Sequence, residues 1–140
     1  MSGRPNNPEE LEQRALVEWA DKVRVEGPPL LKYPMVGDYL YAVPNGGWRK
    51  RTEAARLKGQ GVRPGVPDLV LAIPSRGYSG MYIELKPTPY GSYRPTTTER
   101  QDEWLAKLAA AGYYAIKAVG WDAARREIVW YLEMVNESRD

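Results

Sequence analysis

The chain contains no cysteine and no histidine. Without cysteine there can be no disulfide framework, no thiolate nucleophile and no cysteine-ligated zinc or iron–sulfur site. Without histidine, serine–histidine–aspartate and cysteine–histidine catalysis are excluded, as is any histidine base or metal ligand. A bound metal must therefore take oxygen ligands, which favours Mg²⁺, Mn²⁺ or Ca²⁺. An enzyme built from this sequence has carboxylates, lysine, tyrosine and the backbone for its chemistry.

Long apolar runs are also missing. No stretch approaches the roughly 20 apolar residues of a membrane span, and the polar start of the chain lacks the hydrophobic region of a signal peptide. The 140 residues are 43% hydrophobic and 27% charged, which is the balance of an ordinary globular domain. We therefore expect a cytoplasmic protein with no membrane partner. Its single domain is predicted at 9–136, between a flexible arm at 1–8 and a tail at 137–140.

Hydrophobic periodicity and turn residues divide the chain into helices and strands. Thr98 with Gln101 three residues later has the spacing of a capping box at the start of a helix. The element order α-β-ββ-α-β-α, with a short helix between the first two strands, predicts one α/β domain with a mixed sheet flanked by helices. Helices are predicted at 9–26, 52–58, 98–111 and 122–135, and strands at 39–43, 69–73, 81–85 and 113–119.

Positive charge is concentrated in one segment, although the whole chain has a net charge of only +2. Six basic residues lie within 49–63 against one acid, which makes this segment a candidate phosphate-binding surface. A solvent-exposed helix face explains such a run equally well, so composition leaves both interpretations open. The six residues are Arg49, Lys50, Arg51, Arg56, Lys58 and Arg63.

The two strands at 69–73 and 81–85 bring charged residues to one edge of a predicted hairpin. Asp68 stands at the start of the first strand, and Glu84 and Lys86 stand at the end of the second. Glu84 and Lys86 share one strand face because they are two residues apart. Two carboxylates beside one ammonium form a site for a hard metal and a phosphate or water. An ordinary surface pair of Glu and Lys is the alternative, but the apolar flanks make an unpaired charge costly and favour the functional interpretation.

A third carboxylate is available on the first helix. Its apolar residues define one face, and Glu12 falls near the centre of that face whereas Glu9 lies nearer its edge. A glutamate directed at the core needs a cation or hydrogen-bond partner. Glu12 is therefore either a further ligand of the metal site or one half of a buried structural pair. Capping of the helix N-terminus explains Glu9 and Glu10.

Pro67-Asp68, followed sixteen residues later by Glu84-Leu85-Lys86, resembles the PD-(D/E)xK nuclease motif. More narrowly, the chain resembles a stand-alone virus-type replication-repair nuclease (VRR-NUC) domain of phage or prophage type. With the first helix, the matching segments cover most of the chain and occur in family order. The resemblance implies a restriction-endonuclease-like fold. The segments are Val43-Pro-Asn-Gly-Gly47 with Arg49, Gly65-Val-Pro-Asp-Leu69, Ile83-Glu-Leu-Lys86, Gln101 with Trp104-Leu105, and Gly112-Tyr113.

The resemblance also implies a role for each matching residue. Asp68 and Glu84 would bind Mg²⁺ or Mn²⁺, with the backbone carbonyl of Leu85 as a further ligand. Lys86 would orient or activate the attacking water, and Glu12 would be the helix carboxylate that completes the site, with Glu9 left open as its substitute. Gln101 would support the site or hold a phosphate. The predicted DNA contacts are Arg49, Lys50, Arg51, Lys58, Arg63 and Gln101.

These observations predict a divalent-metal-dependent DNA endonuclease. The small size and the resemblance favour a homodimer that cuts branched DNA in the manner of a Holliday-junction resolvase, in the host cytoplasm if the protein is phage-encoded. One alternative is a non-selective or restriction-like nuclease of the same type. The other is a non-catalytic nucleic-acid-binding module that uses only the basic segment, but such a module has no need of converging carboxylates.

Overall fold

The structure is a computed structural model that describes residues 7–25, 32, 34–44, 51–134 and 138–139. No helix in these described ranges is long and apolar enough to cross a membrane. The helices are α1 (Pro8–Ala20), α2 (Arg51–Gly59), α3 (Glu99–Ala110) and α4 (Trp121–Tyr131), with a single 3₁₀ turn at Val36–Asp38. The strands are β1 (Val23–Arg24), β2 (Leu40–Ala42), β3 (Leu69–Leu71), β4 (Met81–Lys86), β5 (Tyr114–Val119) and β6 (Ser138–Arg139).

A four-stranded sheet in the order β2-β3-β4-β5 forms the centre of the fold. Strand β3 is antiparallel to both β2 and β4, and β5 lies parallel to β4. All three residues of β3 are buried, as expected for a short apolar strand in the middle of a sheet. The prediction of an α/β domain with a mixed sheet flanked by helices is confirmed.

The two faces of this sheet have different neighbours. Ile83 and Leu85 point to one face, where they join Leu16 of α1 and the buried side chains of α4 in the hydrophobic core. Glu84 and Lys86 alternate with them on β4 and point to the other face, where they contact α3. Each fully buried aliphatic side chain contributes about 1.5–3 kcal/mol. The apolar face therefore holds β4 in place while its opposite face carries the charged groups.

Both ends of the chain fold differently from the prediction. Helix α1 begins at Pro8, inside the predicted arm, and ends at Ala20 rather than near residue 26. The apolar pattern continues past that point because Val23 and Val25 are buried, but they alternate as residues of a strand do. Strand β1 pairs with β6 at Ser138–Arg139, so the predicted tail contains a strand. A pairing between such distant segments leaves no local signal in the sequence.

The starts of α3 and α4 illustrate a correct and an incorrect prediction. The capping box of α3 is present, with Thr98 Oγ1 accepting from the Gln101 N–H and Gln101 Oε1 accepting from the Thr98 N–H. Asp122 is the first residue of the helix predicted at 122–135, but α4 begins at Trp121 and its N-cap is Gly120. Gly120 has φ 86°, a conformation that glycine adopts without strain. Asp122 lies in the first turn instead and binds Arg125 at 2.9 Å.

Candidate active site

The carboxyl groups of Asp68 and Glu84 meet at one end of the β3–β4 hairpin. Leu69 pairs with Ile83, so Asp68 and Glu84 are the next cross-strand neighbours along the same ladder. The two carboxyl groups are close enough for each to shift the pKa of the other. The backbone N–H of Leu85 donates to Asp68 Oδ2 at 2.9 Å, which fixes the aspartate against β4. The structure thus brings together the two carboxylates that the hairpin pattern placed at one edge.

Glu84 is a buried charged residue with an unsatisfied oxygen. Its side chain is only 2% exposed, and its Oε1 atom finds no hydrogen-bond donor among the described residues. Burial raises the pKa of Glu84 to about 8, and the charge of Asp68 adds to the rise. Burial also raises the pKa of Asp68. Two carboxylates this close repel each other when both are ionised, which favours protonation of one of them in the absence of a cation.

Lys86 is held beside the carboxylate pair by Gln101. Lys86 Nζ donates to Gln101 Oε1 at 3.0 Å and lies 3.5 Å from Glu84 Oε2. Gln101 Nε2 donates to the same Glu84 oxygen at 3.1 Å. Because Gln101 Oε1 also accepts from the Thr98 N–H at 2.8 Å, the residue that closes the capping box of α3 also orients the lysine. The expectation that Gln101 supports the site agrees with these contacts.

Glu12 does not join the carboxylate pair, in contrast to its predicted position. Its Oε2 atom accepts hydrogen bonds from both the N–H and the hydroxyl of Thr88, and its Oε1 atom accepts from the Trp121 N–H at 3.0 Å. Partial burial alone would raise the pKa of Glu12, but these hydrogen bonds lower it below the ordinary value. Glu12 therefore connects α1 to the segment after β4 and to the first turn of α4. Its contacts are structural, as in the alternative of a structural pair, but Glu12 is only partly buried.

Glu9, one turn earlier on α1, is a helix carboxylate within electrostatic reach of the site. Desolvation raises its pKa, Asp68 raises it further, and Lys86 lowers it, so its carboxyl group is within electrostatic reach of both residues. The sequence contained a signal for this residue, since Glu9 lies at the edge of the apolar face of the helix. The rotation of α1 about its axis determines which of Glu9 and Glu12 lies nearer the carboxylate pair, and helical periodicity does not fix that rotation relative to the sheet.

The predicted DNA-contacting cations are less closely tied to this site. Arg49 and Lys50 lie outside the described residues. Arg51 and Lys58 lie on α2, and Arg63 follows it; all three are exposed. Arg63 Nη1 donates to the carbonyl oxygen of Lys58 at 2.9 Å, which places the guanidinium at the C-terminus of α2. Their contact with nucleic acid stays a prediction.

A divalent cation fits the donor set of this site. Mg²⁺ in proteins is commonly held by one or two carboxylates together with waters and substrate phosphate. Asp68 and Glu84 supply the two carboxylates, and the buried Oε1 of Glu84 is the free acceptor that a cation would satisfy. The described residues contain no group of three or more carboxylates arranged to hold a metal, so the predicted three-carboxylate site with Glu12 is not formed. The carbonyl of Leu85 stays a predicted ligand.

Comparison with known proteins identifies the family. The model of the VRR-NUC domain matches residues 7–120, which span α1, the β3–β4 hairpin, α3 and β5. A solved structure described as a VRR_NUC domain protein is 30% identical, with a TM-score of 0.71, and the match covers 94% of this chain and 93% of that one. No curated protein matches the chain. The chain belongs to the VRR-NUC family and carries a nuclease domain of the PD-(D/E)xK type.

Proposed function

We propose that this protein is a Mg²⁺- or Mn²⁺-dependent endodeoxyribonuclease that hydrolyses phosphodiester bonds at Asp68, Glu84 and Lys86. The observation that carries this proposal is the burial of Glu84, 2% exposed, against a second carboxylate. An isolated buried carboxylate costs several kcal/mol, so such a pair is destabilising unless it serves a ligand. An ordinary Glu–Lys pair on a surface hairpin would leave the glutamate in water and would need no Asp68 beside it.

Asp68 and Glu84 would hold the cation, with the carbonyl of Leu85 as a further ligand and the charge of Glu9 within electrostatic reach. The bound cation supplies Lewis-acid stabilisation of the phosphate and lowers the pKa of a coordinated water. The chain provides no histidine to act as a base. Proton removal from the attacking water therefore depends on that lowered pKa and on the neighbouring carboxylates.

Lys86 carries the positive charge that faces the reacting phosphate. Its side chain is only 11% exposed, and its ammonium is held by Gln101 and Glu84. A cation fixed before the reaction begins stabilises negative charge that develops on the phosphate without first reorganising solvent. Lys86 would orient the attacking water or offset that charge. Gln101 would act as a positioning residue through its contacts with both Lys86 and Glu84.

Exposed cations would bind the DNA backbone around this centre. Five basic residues of the segment 49–63 would contact phosphates and position the strand without reading bases. They are Arg49, Lys50, Arg51, Lys58 and Arg63. Family resemblance supports branched DNA such as a four-way junction as the preferred substrate, and a homodimer as the acting species. A two-fold dimer would present two equivalent centres to the two strands that must be cut.

Cleavage of labelled four-way junction, flap and linear duplex with Mg²⁺ or Mn²⁺ tests this proposal. We expect metal-dependent products, a preference for the branched substrates, and mass or sedimentation data that show a dimer on the junction. Equal cleavage of branched and linear DNA would refute the selectivity. Binding that weakens with salt but gives no product in either metal would refute the enzyme and leave a nucleic-acid-binding module.

A further inference from the structure

Three tyrosines lie on the sheet face that carries the carboxylate pair. Tyr41 of β2 pairs with Val70 of β3, which pairs with Tyr82 of β4, so these residues form one cross-strand row. Glu84 follows Tyr82 by two residues and Asp68 precedes Val70 by two, which puts all of them on the same face. At about 3.3 Å per residue, the row is separated from the carboxylate pair by roughly 7 Å along the strands.

Tyr113 completes the cluster from the residue before β5. Its ring centroid lies 5.1 Å from that of Tyr82 at an interplanar angle of 88°, an edge-to-face contact. The ring lies over Gly80, where an added Cβ would come within 3.5 Å of it. Burial raises the pKa of the Tyr82 hydroxyl, and Tyr113 and Tyr41 raise it further, which is consistent with three neighbouring phenols. We call Tyr41, Tyr82 and Tyr113 the tyrosine platform.

Tyr41 is the residue of this platform whose ring is most exposed to solvent. Its side chain is 54% exposed, whereas Tyr82 and Tyr113 are half-buried. A single exposed aromatic residue is ordinary on a protein surface. The position of this one is informative because it lies on the same face as Asp68 and Glu84, in one cross-strand row with Tyr82 and separated from it by Val70. A ligand bound at the carboxylate pair would therefore have an exposed aromatic side chain nearby, in the cross-strand row roughly 7 Å away along the strands.

We propose that the tyrosine platform stacks an unpaired nucleobase of the DNA strand whose phosphate lies at Asp68 and Glu84. This inference rests on the proposed nuclease function, because it uses the carboxylate pair to place the phosphate. Base–aromatic stacking tolerates any sequence, since every base has a π-face. A base inside a duplex has both faces covered by its neighbours and cannot offer one to Tyr41. The platform thus selects strands that carry an unpaired nucleotide beside the scissile bond.

Cleavage kinetics of Tyr41→Ala and Tyr41→Phe test the platform. The substrates are a labelled duplex with an unpaired nucleotide at the cleavage position, the same DNA with an abasic residue there, and the fully paired duplex. Stacking on one aromatic side chain accounts for about 1–3 kcal/mol per base. We therefore expect Tyr41→Ala to lose about tenfold in kcat/KM on the first substrate, mainly through KM. Tyr41→Phe keeps the ring and should stay within twofold of the wild type.

Two controls separate a platform from a general loss of structure. On the abasic substrate, the wild type and Tyr41→Ala should be equal because no base is present to stack. Tyr90→Ala removes a tyrosine of similar exposure, 52%, from the loop after β4 and should cleave the first substrate as the wild type does. Equal rates of Tyr41→Ala and wild type on the unpaired nucleotide would overturn the proposal. So would a loss of the same size on the abasic substrate.

A binding measurement distinguishes failure of this inference from failure of the nuclease assignment. DNA with 2-aminopurine as the unpaired base is titrated with each variant, and fluorescence reports stacking without any need for cleavage. Quenching by the wild type and Tyr41→Phe but not by Tyr41→Ala would support the platform even if no product forms. If the wild type cleaves the DNA but leaves the fluorescence unchanged, the enzyme stands and the platform is refuted.

Discussion

Replacement of Glu84 by glutamine should make the metal-free protein more stable while abolishing cleavage. The substitution keeps the shape of the side chain and removes the charge that burial disfavours. The amide oxygen can still accept the hydrogen bond that Gln101 now donates to Glu84 Oε2. The amide nitrogen can donate toward Asp68, the carboxylate whose charge helps to raise the pKa of Glu84. Loss of a metal-binding oxygen accounts for the loss of activity.

The size and sign of this effect follow from the pKa of Glu84, which burial and then Asp68 raise from 4.5 to about 8. The stability associated with the protonated carboxyl is fully present below pH 4.5 and is lost as the pH rises through about 8. One pKa unit corresponds to about 1.4 kcal/mol. Because the two carboxyl groups titrate as a coupled pair, only part of this shift is assigned to Glu84, and we expect Glu84→Gln to raise the free energy of unfolding by roughly 2–4 kcal/mol at pH 9 and by almost nothing at pH 4. At about 4 °C per kcal/mol for a domain of this size, Tm rises by ~10 °C at pH 9.

Thermal unfolding in EDTA at several pH values measures this difference, with Glu103→Gln as the control at an exposed glutamate on α3. If Mg²⁺ binds the ionised carboxylates of the folded wild type as we propose, it should raise Tm more at pH 8.5 than at pH 6. It should have little effect on Glu84→Gln. If Glu84→Gln is no more stable than the wild type at pH 9, or if its advantage does not grow with pH, Glu84 does not carry the buried charge inferred here.

The other expected outcomes concern the residues around the pair. Glu9→Ala should lower the cleavage rate at least tenfold and leave the free energy of unfolding unchanged. Glu12→Ala should lower the free energy of unfolding in urea by about 2 kcal/mol, because three donors lose their acceptor. The reverse pattern would indicate that Glu12, and not Glu9, acts at the metal site. Gln101→Leu should reduce kcat while KM stays constant, and unchanged kcat would contradict its positioning role. Gly65→Ala should lower the free energy of unfolding by about 2–3 kcal/mol, since the φ of Gly65 is +89° and a Cβ would lie 2.9 Å from the backbone of Arg100. A variant as stable as the wild type would contradict that contact.

Much of the fold could be predicted because its signals are local. The capping box of Thr98 and Gln101, the apolar run of β3 and the glycine after α3 each determine an element end from a few neighbouring residues. The β1–β6 pairing could not be predicted, since two-residue strands carry almost no periodicity. The end of α1 was misplaced because Val23 and Val25 fit a helical and a strand pattern equally well.

The candidate site divides in the same way. The hairpin register brings Asp68 opposite Glu84, and the i, i+2 spacing puts Lys86 beside it, so local geometry was enough to predict this group. The role of Glu12 depends on its contact with the Trp121 N–H, 109 residues away in the sequence. Trp121 begins α4, whose N-cap Gly120 has no side chain that could accept this hydrogen bond. No local pattern indicates that an N-terminus of one helix will be satisfied by a carboxylate of another.

The most direct test of the central claim is the cleavage rate of labelled DNA by matched preparations of the wild type, Lys86→Ala and Lys22→Ala. Lys22 is a largely exposed lysine paired with Glu18 at the other end of α1, and its substitution controls for loss of one positive charge. We predict metal-dependent cleavage by the wild type and Lys22→Ala, abolished by EDTA and reduced at least a hundredfold in Lys86→Ala. Cleavage that persists in Lys86→Ala, or in EDTA, would contradict a hydrolytic centre at Asp68, Glu84 and Lys86.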